Sequence, residues 1–183
     1  MAAQLTGEGM GRAVSEDYDT SDVLLLGRET YDSFAGVWPD REAAGGDDAP
    51  FAKRLGDTRK VVVSRQPLGF SWRNSELING DLADAVAALK ADATVTGILI
   101  PGSISVVQQL LAAGLVDELR LLVHPVAARK GRRLFENGDA PYHLKVTSTE
   151  VFPTGVIRVI YSPAEAPTEV GYKEVRDQAP DAS

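Results

Sequence analysis

Short apolar runs alternate with helical repeats along this chain. The first run, residues 23–26, stops at Gly27 and passes directly into a helical repeat of apolar residues over 28–36. Three further runs of strand length follow, each set apart by polar or helical segments, at 60–63, 97–100 and 118–123. Because strands separated by helices usually lie parallel, the pattern predicts an α/β fold with a largely parallel sheet.

The rest of the pattern predicts further helices, an edge strand and a hairpin. Helices are expected at 11–18, 51–55, 82–90 and 104–113, and an edge strand starting at Trp72 is expected to reach Ile78. The segment 40–50 is rich in Gly, Asp and Ala, which predicts a mobile surface loop or lid. A Pro-Thr-Gly turn separates two late strands, at 142–152 and 156–161, and this arrangement indicates an antiparallel hairpin.

Polar and cationic residues follow the ends of three predicted strands. In chain order they are Gly27, Arg28 and Thr30; Ser64 and Arg65; and Pro101, Gly102, Ser103 and Ile104. Ligands of open α/β sheets collect at the carboxyl ends of strands, and a helix that starts there attracts anions. Gly102 allows close approach of a ligand, and Ser103 is predicted to cap the helix that follows. The convergence predicts a nucleotide site, whereas the alternative is a set of ordinary strand–turn–helix connections.

Composition narrows the class of protein. A net charge of -7 and a pI near 4.9 argue against nucleic acid or an anionic membrane as the main partner. We find no apolar run near the ~20 residues of a membrane span and no signal-peptide pattern, so a cytoplasmic location is expected. The absence of cysteine excludes disulfides and thiol nucleophiles.

We expect one domain over 1–163 and a disordered acidic tail over 164–183.

Other groups of polar residues give weaker indications of a functional site. His124 and His143 lack nearby carboxylates at ligand spacing, so no metal site is predicted. The Asp117-Glu118 pair is either a surface pair or a carboxylate facing substrate. The basic segment 129–133 is either a solvated loop or a contact to a phosphate of substrate or cofactor. No catalytic residue is identified.

Several motifs occur together in one order. They are Gly-Arg-Glu-Thr-Tyr at 27–31, Lys-Val-Val-Val-Ser at 60–64, Ile-Pro-Gly-Ser at 100–103 before a Gln-Gln-Leu-Leu helix, and the segments 114–126, 131–135 and 153–156. The chain resembles the dihydrofolate-reductase-like family, most closely stand-alone relatives of the reductase domain of bifunctional riboflavin-biosynthesis deaminase/reductases. The resemblance implies a three-layer α/β/α fold with a mostly parallel central sheet and a C-terminal antiparallel hairpin. It also implies an NADPH-dependent reductase that transfers hydride to a small pteridine-, pyrimidine- or riboflavin-precursor-like heterocycle.

The resemblance also implies roles for individual residues. Arg28 would meet the adenosine 2′-phosphate, with Ser64 and Arg65 beside it. Gly27 and Thr30 would contact the pyrophosphate. The helix start beside the pyrophosphate and the nicotinamide ribose would be formed by Gly102, Ser103 and Ile104. The chain departs from the family pattern at Pro101, where dihydrofolate reductases place a glycine, and at the basic loop 127–131, where close relatives carry small residues.

A further departure is the lack of the family's first, central strand. Residues 1–9 contain no such apolar run. Its loss predicts two unpaired strand edges, and we expect an in-frame upstream extension, residues 2–6 or a partner chain to fill the place. Because relatives are often dimers, a homodimer is expected. Two alternatives stay open, a catalytically degenerate nucleotide-binding relative and a dimeric interaction scaffold.

Overall fold

The computed structural model describes residues 8–78, 80–135, 138 and 141–166. Within these ranges the helices are α1 (Glu8–Asp19), α2 (Arg28–Ala35), α3 (Trp38–Ala44), α4 (Ala49–Asp57), α5 (Leu82–Ala91) and α6 (Ile104–Ala112). The strands are β1 (Val23–Gly27), β2 (Arg59–Val63), β3 (Ser75–Leu77), β4 (Ile98–Leu99), β5 (Leu119–Val123), β6 (Leu144–Val151) and β7 (Ile157–Pro163). None of the helices in the described ranges is long and apolar enough to cross a membrane.

A four-stranded parallel sheet forms the centre of the protein, in the order β3-β2-β1-β4. Successive side chains of a strand point to opposite faces, so β1 supplies two cores. Val23 and Leu25 pack with residues of α5 and α6 on one face, whereas Leu24 and Leu26 pack with residues of α2 and α4 on the other. The predicted three-layer α/β/α arrangement is therefore confirmed.

A separate antiparallel sheet has the order β5-β7-β6. The predicted hairpin is confirmed as β6 and β7, but the assignment of 118–123 to the parallel part is wrong, because β5 pairs antiparallel with β7. A helix between two apolar runs indicates a crossover connection between two strands, but it does not indicate which strand the second run pairs with. In the described ranges β4 and β5 lie in different sheets, and the unpaired strand edges stay a prediction. Residues 2–6, one of the segments suggested to fill the place of the first strand, lie outside the described part of the chain.

Two local predictions need correction. The segment 40–50 is mostly helical, since α3 reaches Ala44 and α4 begins at Ala49. Pro39 lies in the first turn of α3, where proline is tolerated, and glycines with φ of 72° and 89° follow the helix. The edge strand begins at Ser75 and not at Trp72, whose side chain is buried in the core with Tyr31 and Leu55. Of the tail predicted to be disordered, residues 167–183 lie outside the described ranges.

Candidate functional site

An open cleft of about 430 Å³ lies at the carboxyl ends of β1 and β4. The first residues of α2 form one wall, and the turn that precedes α6 forms the other. The cleft is lined by Glu29, Thr30, Ser33, Phe34, Pro101 and Gly102. The structure therefore brings together two of the three strand ends that the sequence singled out.

A short hydrogen-bond chain joins the two walls. The backbone N–H of Gly27 donates to Ser103 Oγ at 2.8 Å, and the Ser103 hydroxyl donates to Thr30 Oγ1 at 2.9 Å. Because Thr30 Oγ1 accepts this bond, its own hydroxyl proton is available to a ligand. The N–H of Gly27, in contrast, is already used inside the protein. A Cβ at Gly27 would lie 3.4 Å from Ser103 Oγ, an ordinary van der Waals distance.

The helix starts at the cleft are not capped by side chains. Gly27, which has no side chain, occupies the N-cap position of α2. Ser103 occupies the N-cap position of α6, but its hydroxyl does not accept from the N–H groups that follow. The prediction that Ser103 caps α6 is correct in position and wrong in mechanism, because its hydroxyl is recruited across the cleft. Gly102, with φ of 73°, lies before α6, and a Cβ there would meet no atom within 4 Å. The positive ends of both helix dipoles therefore remain for an anion. In α6, the N–H groups of Ile104 and Val106 already donate to the carbonyls of Gly102 and Ser103.

The ends of β1 and β2 bring three further candidates to the same edge. Gly27 pairs with Val63 in the parallel ladder, so Arg28 and Ser64 follow neighbouring strand ends. Nε of Arg28 lies 3.4 Å from Asp32 Oδ2, in a partly exposed pair. Ser64 Oγ forms a local turn with Gln66, at 2.9 Å to its carbonyl oxygen and 3.2 Å from its N–H. Arg65 is exposed, and the cofactor roles of all these residues stay predictions.

Sequence reasoning missed three residues of the cleft wall, Glu29, Ser33 and Phe34. The signal was present, because positions three and four residues after Thr30 share its helix face. The basic segment also comes to this rim, since Arg132 Nη1 lies 3.6 Å from Glu29 Oε2. Gln108 Nε2 fixes the end of that segment by donating to the carbonyls of residues 133 and 134.

The carboxylates at the start of β5 are engaged elsewhere. Asp117 accepts from Lys90 Nζ at 2.7 Å, and Glu118 accepts from Arg120 at 2.6 Å. These contacts favour the surface-pair interpretation over a carboxylate that faces substrate. Across the described ranges, no group of three or more His, Asp or Glu side chains is placed to hold a metal ion.

The two sheets, the three layers and the cleft at the strand ends define an α/β protein of the dihydrofolate-reductase-like class. Within this class, the chain belongs to the RibD C-terminal domain family, whose model matches residues 2–158. This reductase-domain family confirms the resemblance seen in the sequence motifs.

Individual relatives agree with this assignment. The chain is 30% identical over 146 residues to the uncharacterized protein YyaP of Bacillus subtilis (strain 168), an overlap of 76% of this chain and 73% of that protein. A putative riboflavin biosynthesis protein from Shewanella sp. PV-4 has a similar structure, with a TM-score of 0.63 and 20% identity over 82% of this chain and 78% of that one. A pyrimidine reductase-like protein from Corynebacterium diphtheriae matches with a TM-score of 0.59 and 18% identity over 89% and 84% of the two chains. At these identities the two structural matches show a shared fold.

Proposed function

We propose that this chain is an NADPH-dependent reductase that transfers hydride to a small heterocycle of the pteridine, pyrimidine or riboflavin-precursor type. The observation that carries the proposal is the cleft in which Ser103 links the starts of α2 and α6. Family membership supports the reductase class. The names of the structural relatives favour a pyrimidine or riboflavin-pathway substrate.

The cleft suits a pyrophosphate. Two uncapped helix starts direct partial positive charge toward it, and the hydroxyl proton of Thr30 is available as a donor. Gly102 presents backbone without a side chain, which permits close approach of phosphate oxygens. Because the Ser103 chain fixes both walls before any ligand arrives, little ordering remains to oppose binding.

The neighbouring strand ends suit a 2′-phosphate. NAD-type sites hold the ribose 2′-hydroxyl with an acidic residue after a strand of the sheet. Ser64 and Arg65 follow β2 instead, beside Arg28 after β1. Arginine offers a fork of donors that matches phosphate, and the Arg28 side chain is exposed enough to turn toward a ligand.

NADPH, when bound, supplies a hydride from its nicotinamide ring. The chain's own contribution is to bind and orient. The starts of α2 and α6 fix the pyrophosphate, and Arg28 with Ser64 selects the phosphorylated ribose. The ring of Phe34 supplies an apolar part of the cleft wall.

Dissociation constants for NADPH and NADH test the cofactor assignment. We expect Arg28→Ala to weaken NADPH binding about tenfold to a hundredfold, since a charge-assisted contact is worth roughly 1.5–3 kcal/mol. NADH binding should be nearly unchanged, and Arg28→Lys should recover part of the loss. Arg12→Ala is the matched control, because Arg12 is also a surface arginine that pairs with a carboxylate four residues later on its helix. Equal losses for both cofactors would show that Arg28 supports structure or contacts only the pyrophosphate.

Turnover separates the enzyme from its two alternatives. NADPH oxidation should be followed with dihydrofolate and with 5-amino-6-(5-phosphoribosylamino)uracil as probes. Oxidation that depends on a probe supports the reductase. Tight NADPH binding without oxidation supports a degenerate nucleotide-binding relative, and failure to bind either cofactor supports an interaction scaffold.

A further inference from the structure

The cleft at the strand ends carries a negative charge of its own. Among the lining residues that the structure describes, Glu29 alone is charged, and it lies in the first turn of α2. A carboxylate at this position is favoured by the positive end of the helix dipole. It also opposes an anionic ligand, because like charges in one site repel each other. A cleft that binds a pyrophosphate therefore needs a cation that offsets Glu29.

The basic segment 129–133 brings such a cation to the rim of the cleft. Arg132 Nη1 lies 3.6 Å from Glu29 Oε2, and the two side chains are 68% and 86% exposed. This distance is too long for a hydrogen bond, and an exposed ion pair of this kind contributes little to stability. Another anion can therefore replace the carboxylate of Glu29 at low cost.

The basic segment is also attached to the second wall of the cleft. Gln108 of α6 donates from Nε2 to the carbonyl oxygens of Arg133, at 3.0 Å, and of Leu134, at 3.2 Å. Gly131, directly before Arg132, has φ of 125°, a backbone conformation that residues with a side chain rarely adopt. The backbone after Arg132 is therefore held in place while the exposed side chain is able to turn toward the cleft.

We propose that Arg132 is an anion-binding residue of the cleft, held at the rim by Glu29 until a phosphate of the ligand takes the place of that carboxylate. Four of the five residues 129–133 are Arg or Lys and all are exposed, so the rim is locally positive in a chain of net charge -7. The ligand class is a diphosphate, because guanidinium donors match phosphate oxygens. The inference rests on the proposed function for the identity of the ligand. Arg28 is assigned to the 2′-phosphate, whereas Arg132 would contact the pyrophosphate that NADPH and NADH share.

Dissociation constants for NADPH, NADH and inorganic pyrophosphate, measured by titration calorimetry at low salt, test the assignment. We expect Arg132→Gln to raise all three about threefold to thirtyfold, because a charge-assisted contact is lost and only a weak pair with Glu29 is no longer given up on binding. An equal effect on NADPH and NADH distinguishes Arg132 from Arg28. Arg12→Gln is the matched control, since the Arg12 side chain is 64% exposed and pairs with Glu16 on the surface of α1.

Glu29→Gln provides a second test. Loss of this carboxylate should strengthen binding of all three ligands, because it removes a repulsion and releases Arg132. The gain should be larger in the wild-type background than in the Arg132→Gln background, where no pair remains to be released. Urea midpoints of the variants should match that of the wild type, since the pair is exposed. An equal gain in both backgrounds would mean that Glu29 and Arg132 act independently, and it would overturn the exchange.

The three ligands separate this inference from the proposed function. If the wild type binds NADPH and Arg132→Gln behaves like Arg12→Gln, the inference fails and the cofactor assignment stands. A loss confined to NADPH also overturns the inference, because it would place Arg132 at the 2′-phosphate. Binding of pyrophosphate that depends on Arg132, without binding of either cofactor, supports the inference and contradicts the cofactor assignment. Failure to bind any of the three overturns both.

Discussion

Replacing Lys60 with methionine tests how a buried cation stabilises this fold. Lys60 is fully buried at the start of β2. Its Nζ donates to the carbonyls of Leu55 at 2.7 Å, Gly56 at 3.0 Å and Thr58 at 2.6 Å, and lies 4.3 Å from the centre of the Trp72 ring. The last carbonyls of a helix have no partner within it, so the ammonium group ends α4 by satisfying them.

Two opposing effects set the magnitude. Burial lowers the pKa of Lys60 to about 8, and the charge of Arg73 acts in the same direction, whereas Asp57 and Glu42 oppose it. The displacement from 10.5 corresponds to a net cost of roughly 3 kcal/mol for keeping the lysine charged in the folded protein. Each charge-assisted hydrogen bond returns roughly 1.5–3 kcal/mol. With three such bonds, Lys60→Met should lower the free energy of unfolding by about 2–5 kcal/mol.

Urea denaturation at pH 7 measures this change. The control is Lys53→Met on α4, where the lysine is exposed and pairs with Asp57. An exposed pair of this kind contributes at most about 1 kcal/mol. If Lys60→Met were as stable as Lys53→Met, the three carbonyl contacts would not compensate for the burial of the charge, and the reasoning would be refuted.

The wild type and Lys60→Met should also differ in their dependence on pH. A lysine with a depressed pKa in the folded state releases its proton before the unfolded chain does. Between about pH 8 and 10.5, the unfolded state therefore holds more protons, and stability rises with pH. The wild type should gain stability relative to Lys60→Met as the pH rises through this interval. A difference between the two proteins that stays constant over the interval would contradict the lowered pKa of Lys60.

Two other substitutions test contacts between elements. We expect Asp17→Asn to lower the free energy of unfolding by about 1–3 kcal/mol, because it weakens the partly buried contacts to Arg120 and Arg158. Urea denaturation measures this change, and an unchanged midpoint would mean that solvent screens the contacts. We expect Gly97→Ala to lower the free energy of unfolding by more than about 2 kcal/mol, since a Cβ there would collide with a carbonyl oxygen of the turn before β1. Gly69→Ala, where a Cβ meets no atom within 4 Å, is its control, and equal stability of the two variants would disprove the collision.

Local patterns predicted the central part of the fold well. The run before Gly27 is apolar at every position because β1 is covered on both faces, and such a strand is recognisable without knowing its neighbours. The α5 cap was also readable, since Asp81 accepts from the N–H groups of residues 83 and 84 as its position before the helix suggests. These features depend on a few adjacent residues, so the sequence contains most of what determines them.

Features that depend on distant partners were not predictable. Ser103 has the sequence context of a helix cap, but its hydroxyl is used by Gly27 and Thr30, more than seventy positions away. Lys60 opens a strand, where a lysine is usually exposed, and its burial follows only from the place where α4 ends. The pairing of β5 with β7 joins segments that a long stretch of chain separates. In each case the contact that decides the structure is made with residues outside the local pattern, so the spacing of nearby residues does not predict it.

In the antiparallel sheet, the alternation of residues along the strands predicts that the two faces differ, but not which face a helix covers. In β5 and β7 the charged side chains of Arg120 and Arg158 share one face, and the aliphatic side chains of Leu121 and Val159 share the other. The sequence therefore indicates that the two faces differ, because side chains alternate along a strand. It does not indicate which face α1 covers. Two kinds of contact decide this. Met10 and Ala13 of α1 pack in one apolar cluster with Leu122, Phe152 and Val156, and the half-buried carboxylate of Asp17 finds two cationic partners on the same face. Once α1 is held there, Leu121 and Val159 lie on the face of the sheet that is turned away from that helix.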